Sequence, residues 1–148
     1  MRRLRELRRL RADRGSAALF VAIFAPAMIF MAGLVIDGGA ALEAKQRAAD
    51  IAEQAARAGA SQCREDLLRS QGICFVNLDQ VPAAVAPYRQ SPGVTDLGWA
   101  PLAPHGGPPT GVQVTVTMTF RTTLLGIMPR FRMMTISQTA DAVAVTGL

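Results

Sequence analysis

The stretch AALFVAIFAPAMIFMAGLVI, residues 17–36, decides how this chain folds. It contains no charged residue, and its length of about 20 residues is what a helix needs to cross a hydrocarbon core of roughly 30 Å. A buried core helix usually keeps a polar face, which this run lacks. The stretch therefore predicts a membrane-spanning helix, and Pro26 fits inside it because membrane helices tolerate proline.

A cleavable secretory signal is the main alternative for this stretch. The apolar region of such a signal is typically about 7–15 residues long, which is shorter than the run here. Residues 41–44 loosely resemble a small-residue cleavage site but lie well past the end of the run. Length therefore favours an uncleaved span over residues 17–37, with Asp37 at the polar interface. Gly38 and Gly39 follow, and they permit either a helix break or the close approach of another helix.

A basic tail precedes the span. Residues 1–14 contain seven arginines against Glu6 and Asp13, so the tail carries the whole net charge of +5 and the rest of the chain is neutral. Basic patches also mark nucleic-acid binding, but these arginines adjoin an apolar run and have no aromatic residues among them. The positive-inside rule instead predicts a cytoplasmic tail over residues 1–16 and an extracytoplasmic chain beyond the span. We therefore expect a membrane and no nucleic acid as partner.

An alanine-rich stalk helix is predicted after the span, over residues 38–72. Strong helix formers dominate its first part, and Glu43 and Glu53 each precede an arginine by four residues, the spacing of helical ion pairs. Small residues at helical spacing predict a face that another element can approach closely. This helix-packing face consists of Ala48, Ala52, Ala55, Ala56 and Gly59. It is expected to contact a partner helix or the rest of the chain, and the alternative is a solvated stalk. Span and stalk are either one continuous helix or are interrupted near Gly38.

Cys63 and Cys74 are the two cysteines of the chain. With the predicted topology, both lie in a compartment that permits disulfides. A bridge between them closes a loop of about a dozen residues and contributes on the order of 3 kcal/mol in the chain-entropy model. Two free buried thiols are the alternative, and two cysteines with one distant histidine make a poor zinc site.

Residues 73–148 are predicted to form a small domain around an antiparallel sheet. The sequence VQVTVTMTF, residues 112–120, alternates strictly between apolar and polar side chains, as a half-buried strand does. A second strand is predicted over residues 133–145, with a bulge near Gln138 where the alternation slips. A weaker strand is predicted over residues 94–99.

The connection between the two main strands, residues 122–131, is too apolar for an ordinary loop. It is expected either to pack under the sheet or to face a partner, because a contiguous apolar patch marks an interface. The fold class predicted from all these elements is α+β: one N-terminal transmembrane helix continues into an alanine-rich stalk helix, and a small antiparallel sheet follows.

We predict no catalytic, cofactor or metal site. His105 is the only histidine and lies between Pro104 and Gly106 in a loop, whereas a general base must be held in a fixed geometry. No serine or cysteine has a base nearby in sequence, and no glycine-rich phosphate loop is present. The chain is therefore expected to be no enzyme, with no cofactor and no small-molecule substrate.

Residues 10–60 resemble the N-terminal segment of the TadE/TadG-like proteins of the tight-adherence (Flp-type) pilus system. The shared features are a basic tail, Arg14-Gly15-Ser16, an apolar span with a proline, and an Asp-Gly pair that leads into an alanine- and glutamine-rich helix. The resemblance implies a pilin-like structural or assembly component anchored in the cytoplasmic (inner) membrane of a bacterium. Its implied partners are other pilus or assembly proteins, including pilin-like helices. The alternative is an exported or tethered extracytoplasmic binding module unrelated to pili.

TadE-like members of this family are cut after a glycine by a prepilin peptidase, and they carry glutamate at the fifth position after the cut. Gly15 and Ser16 fit such a prepilin-like junction, but the fifth position here is Phe20. This departure favours the TadG-like branch, whose members keep their anchor. Ser16 is then predicted to be the N-cap of a helix that begins at this junction.

Overall fold

The computed structural model describes residues 2–103, 106–127 and 129–144. One helix, α1, runs without interruption from Arg2 to Ala60 and contains Pro26. Span and stalk are therefore a single helix in this structure. The two glycines after Asp37 lie within it, and a Cβ built on either would meet no atom within 4 Å.

Two short helices and a sheet follow α1. The helices are α2 (Glu65–Gln71) and α3 (Val81–Arg89). The strands are β1 (Val94–Leu102), β2 (Gly111–Arg121) and β3 (Met133–Val143), and they pair antiparallel in the order β1-β2-β3. This architecture confirms the predicted α+β class.

The N-terminal end of α1 corrects the prediction that a helix begins at Ser16. The backbone is helical on both sides of Gly15 and Ser16, so Ser16 is not an N-cap. The physical reason is that arginine, leucine and alanine, which dominate the tail, are strong helix formers. One interior glycine costs only about 1 kcal/mol relative to alanine, which is too little to end such a helix.

The C-terminal end of α1 also differs from the prediction, because the helix ends at Ala60 and not at residue 72. The Ser61 hydroxyl and the Gln62 side-chain amide both donate to the carbonyl oxygen of Ala58, at 2.8 Å and 3.1 Å, and so occupy an acceptor of the last turn. Cys63 then pairs with Val76 in an isolated antiparallel bridge. Helix α2 is a separate element that starts after this bridge.

The bounds of the strands follow the alternation patterns closely, apart from two details. β1 is longer than predicted and extends to Leu102. The bulge predicted near Gln138 is wrong, because β2 and β3 pair in unbroken register from Gly111↔Val143 to Arg121↔Met133. The irregularity of the sheet lies instead between Val94 and Asp96 in β1. The predicted strand end at Val145 lies outside the described residues.

Helix α1 covers one face of the sheet through the predicted small-residue face. Ala48, Ala52, Ala55 and Ala56 are fully buried, as are Val112, Val114 and Val116 of β2, and all belong to one core cluster. The alanines let the helix approach closely, and each buried valine contributes roughly 1.5–3 kcal/mol. The packing face is thus occupied by the chain's own sheet, so in this structure it is neither a solvated stalk nor free to receive another helix.

Helix α3 was not predicted by the sequence patterns. It packs against α1 and the sheet and contributes to the same core. Its Val81 and Val85, one turn apart, are buried in the same cluster. The Arg89 side chain donates to the carbonyl oxygen of Leu97 at 2.6 Å and ties the end of α3 to β1. Val81 and Val112 both lie 3.3 Å from where a Cβ on Gly59 would stand, so this glycine admits both elements to α1.

The opposite face of the sheet is polar and exposed. Three directly opposed pairs on β2 and β3 are hydrogen-bonded through their side chains, and they lie on alternate positions. The pairs are Gln113–Asp141 at 2.8 Å, Thr115–Thr139 at 2.9 Å and Thr117–Ser137 at 2.9 Å. Cross-strand pairs of this kind stabilise a sheet by roughly 0.2–1 kcal/mol each.

Replacing Ala52 with leucine tests the close packing of α1 on the sheet. The added atoms have no room at a fully buried alanine, so we expect A52L to lower the free energy of unfolding by about 1–3 kcal/mol. Q54L is the matched control, because Gln54 is exposed on the same helix and leucine is a good helix former. Thermal unfolding of the full chain in detergent, followed by circular dichroism, measures both. Equal midpoints for the two variants would contradict the packing described here.

Candidate functional site

Asp37, near the end of the apolar run, binds the loop between β2 and β3. This β2–β3 loop comprises residues 122–132 and contains two short 3₁₀ helices, Leu125–Ile127 and Pro129–Phe131. The Asp37 carboxylate accepts hydrogen bonds from three consecutive backbone N–H groups. Their donors are Thr123 at 2.6 Å, Leu124 at 3.1 Å and Leu125 at 2.7 Å.

The carboxylate acts as a cap supplied by another part of the chain. The first N–H groups of any helix have no partner within it, and here Asp37 satisfies those at the start of the first 3₁₀ helix. Asp37 is only 3% exposed, and hydrogen bonds to a charged group contribute about 1.5–3 kcal/mol each. Asp37 therefore holds the loop against α1 across a sequence separation of 86 residues.

Gly33 lies one helical turn before Asp37 and makes the second contact with the loop. Among residues 17–39, Gly33 and Asp37 alone are buried. A Cβ on Gly33 would stand 2.9 Å from the Cβ of Leu124, closer than carbon atoms pack. The missing side chain is what lets Leu124 rest on the helix, so Gly33 is the glycine of this span that a close approach requires.

Thr122 and Arg132 close the base of the loop. The Thr122 N–H donates to the carbonyl oxygen of Arg132 at 3.3 Å, and the Thr122 hydroxyl donates to the carbonyl oxygen of Phe131. Beyond this base the loop exposes apolar side chains, with Ile127 76% exposed. Three arginines, Arg121, Arg130 and Arg132, are exposed on the same segment.

An apolar groove separates the loop from the helix. Its volume is about 360 Å³. One wall is formed by residues of the apolar run, Ile29 to Leu34, and the other by Leu124, Leu125 and Ile127. None of the described residues that line it carries a charge.

Comparison with known proteins gives a match to the segment that contributes Gly33 and Asp37 to this site. Residues 15–62 match the Tad family model, described as putative Flp pilus-assembly TadE/G-like. The match confirms the family resemblance predicted from the sequence, and it covers less than half of the chain. No curated protein and no solved structure matches the chain. The match indicates a component of Flp pilus assembly.

The TadE/G-like segment contains both contact surfaces of α1. Gly33 and Asp37 hold the loop, and the alanine face from Ala48 to Gly59 holds the sheet. The segment also includes the two predicted i,i+4 ion pairs, Arg47–Glu43 at 2.7 Å and Arg57–Glu53 at 3.1 Å, which are exposed. Everything the family model recognises in this chain therefore belongs to one helix and its first residues beyond Ala60.

The two cysteines lie just beyond the end of α1. Cys63 and Cys74 form a disulfide in the structure, with their Cα atoms 5.1 Å apart. The bridge encloses α2 and fixes the end of the TadE/G-like helix next to the segment that leads into α3. Val76 in that segment is buried and donates its N–H to the carbonyl oxygen of Pro109 at 2.9 Å.

The prepilin-like junction lies far from the loop and the sheet. Gly15 and Ser16 are in the helical backbone of α1. Phe20 is exposed by more than half and stacks on Phe24, with the ring centroids 4.1 Å apart. His105, expected to be a surface-loop residue, lies outside the described residues. Among those residues no group of histidine, cysteine or acidic side chains could hold a metal ion.

Asp37 was interpreted from the sequence only as an interfacial residue, and its role as the anchor of the loop was missed. The sequence does contain a signal for this contact. It is the first charged residue after a long apolar run, and the chain has one other segment, residues 122–131, that is too apolar for its position. Nothing local joins the two, because the contact depends on how the sheet lies on α1.

Replacing Asp37 with asparagine should release the β2–β3 loop. Asparagine has one acceptor oxygen and no charge, so it cannot satisfy three N–H groups. We expect amide hydrogen exchange at Thr123, Leu124 and Leu125 to accelerate by roughly 10- to 100-fold, the equivalent of losing one charged hydrogen bond. The control is D50N, since Asp50 is an exposed aspartate of the same helix. Unchanged exchange in D37N would show that the carboxylate does not hold the loop.

Replacing Gly33 with alanine tests the second contact against a matched control. Alanine favours a helix over glycine by about 1 kcal/mol at both Gly33 and Gly38. At Gly38 the new methyl group meets nothing, whereas at Gly33 it collides with Leu124. We therefore expect G38A to raise the unfolding midpoint, and G33A to speed hydrogen exchange in the loop and to gain less stability. If both variants gain equally and exchange in the loop is unchanged, the close contact is absent in solution.

Proposed function

We propose that this chain is a membrane-anchored, pilin-like structural component of a tight-adherence (Flp-type) pilus or related secretion apparatus. It acts through helix packing and protein–protein contacts and not through catalysis. The observation that carries the proposal is the TadE/G-like match over residues 15–62. The matched helix includes a stretch long and apolar enough to cross a membrane, by length and composition.

The exposure of that stretch supports the anchor. Every large apolar side chain from Leu19 to Ile36 is at least 51% exposed. The chain's own sheet covers the later part of α1 and leaves this part bare. A contiguous apolar surface of this size needs another apolar environment, and a helix satisfies its own backbone hydrogen bonds inside hydrocarbon.

The charge distribution supports one orientation in a bacterial cytoplasmic membrane. The arginine-rich residues 1–16 form a cytoplasmic tail under the positive-inside rule, and residues 17–37 form the span. The disulfide between Cys63 and Cys74 is consistent with an oxidising compartment for the remaining chain. The sheet and its polar outer face are then available to other assembly proteins outside the membrane.

Two features support retention of the anchor. Phe20 stands where TadE-like relatives carry glutamate, at the fifth position after the prepilin cut. In addition, Asp37 and Gly33 hold the β2–β3 loop, so removing the chain up to about residue 40 would leave that loop without its support. The first feature favours a TadG-like protein over a processed TadE-like one. The second favours a retained anchor over the alternative, an exported binding module that uses the apolar run only for secretion.

A complementation experiment tests the proposal. In a strain that lacks this gene, the full chain should restore surface Flp pilin, measured by immunoblot of sheared filaments. Residues 40–148 exported behind an unrelated cleavable signal should not restore it, because the anchor is missing. Intact mass of the restored protein from alkaline-washed membranes should correspond to a chain that retains its arginine tail.

Other outcomes of the same experiment would contradict specific parts of the proposal. Restoration by the exported fragment would favour the soluble binding module. A membrane chain that begins at Ser16 would show prepilin-type processing despite Phe20. Normal levels of surface pilin in the strain without the gene would remove the pilus from the function altogether.

A further inference from the structure

We propose that the β2–β3 loop is a second membrane contact, which enters the boundary between lipid headgroups and acyl chains beside α1. The inference rests on the proposed membrane anchor and adds a site to it. The loop would bind lipid through the exposed apolar side chains at its tip, Ile127 and Phe131, and through an arginine rim, which consists of Arg121, Arg130 and Arg132. The sheet would then be attached to the bilayer at two points and not at one.

The position of the loop along α1 gives the first argument. If Asp37 lies at the membrane boundary, Gly33 lies about 6 Å deeper, at 1.5 Å of rise per residue. Leu124 rests directly on Gly33 and therefore lies on the hydrocarbon side of that boundary. Interfacial segments bury their apolar face by about 5–10 Å, so the loop is at the expected depth.

The groove between loop and helix gives the second argument. Its helical wall, Ile29 to Leu34, is part of the uncharged run, and its loop wall is formed by leucine and isoleucine. Whatever surrounds this part of the helix in a membrane also fills the groove. We assign the groove of about 360 Å³ to a lipid acyl chain, because its helical wall belongs to the proposed membrane span.

The exposed surface of the loop gives the third argument. Ile127 and Phe131 at the tip, and Met133 and Met134 where β3 begins, are all exposed. Exposed apolar side chains are unfavourable in water, because removing apolar area from water is favourable. Ile127 also lines the groove, so the tip of the loop adjoins the apolar run and the same hydrocarbon can cover both.

The charge of the segment favours lipid over a protein partner with an apolar face alone. From Arg121 to Ala140 the sequence contains three arginines and no acidic residue. None of the three arginines forms an ion pair with any carboxylate among the described residues. Arginine side chains at a membrane surface reach up to the lipid phosphates, and an anionic lipid surface attracts basic residues.

Tryptophan fluorescence in brominated lipid tests the inference on the full chain. The parent variant is W99F, which removes the chain's single tryptophan. New tryptophans are then placed singly at the loop tip (I127W), in the span (F30W) and, as the control, at Leu78. Leu78 is exposed near the disulfide, away from the loop. Each variant is reconstituted in vesicles of phosphatidylcholine and phosphatidylglycerol brominated near the glycerol end of the acyl chain.

We expect I127W and F30W to lose emission roughly twofold and L78W to lose none, because bromine quenches only tryptophans that reach the acyl region. F131W is a second probe of the loop in case I127W fails to fold. Quenching at 30 without quenching at 127 or 131 would overturn the loop contact and leave the anchor intact. No quenching at 30 would overturn the anchor itself.

A separate pair of substitutions tests the role of the arginine rim. In the I127W background, R130Q combined with R132Q should weaken the quenching in vesicles that contain phosphatidylglycerol. R69Q is the control, because Arg69 is an exposed arginine of α2. If the double variant and R69Q behave alike, the arginines do not bind lipid phosphate.

Discussion

The close packing of alanines on α1 against valines on β2 is the contact on which the rest of the structure depends. Small residues on the helix bring its axis near the sheet, and the valines supply the apolar area that alanine lacks. Because the contact uses the second half of α1, the sheet is fixed to the same rigid helix that carries the apolar run. Position and orientation of the domain relative to that run are thereby determined within one element.

Sequence patterns predicted the elements of this fold better than their connections. The alternation in residues 112–120 and the small-residue spacing from Ala48 to Gly59 are local, and both define the faces that meet in the core. The end of α1 is followed by the Cys63–Val76 bridge, a long-range pairing that periodicity cannot reveal. Helix α3 was not predicted, although Val81 and Val85 lie one turn apart and are buried in the core.

The candidate site could be predicted in its parts and not as a whole. Residues 122–131 were recognised as too apolar, and Asp37 as the polar end of the span. What joins them is tertiary: three backbone N–H groups of a 3₁₀ turn converge on one carboxylate. Backbone donors leave no trace in a sequence, since every residue other than proline has one. Gly33 was likewise indistinguishable from Gly38 and Gly39 until Leu124 was placed on it.

The packing of β2 along α1 also determines the distance between the two contacts that the sheet and the loop make with this helix. β2 begins beside Gly59, where Val112 packs. The loop that follows the end of β2 contacts Asp37. From Gly59 back to Asp37 the helix covers about 33 Å at 1.5 Å per residue, and the 11 residues of β2 cover about 36 Å at 3.3 Å per residue. The length of β2 therefore matches the length of α1 between Gly59 and Asp37. The strand's length decides at which depth the loop meets α1, and each cross-strand pair of residues added to the hairpin would carry the loop about 3.3 Å further toward the arginine tail.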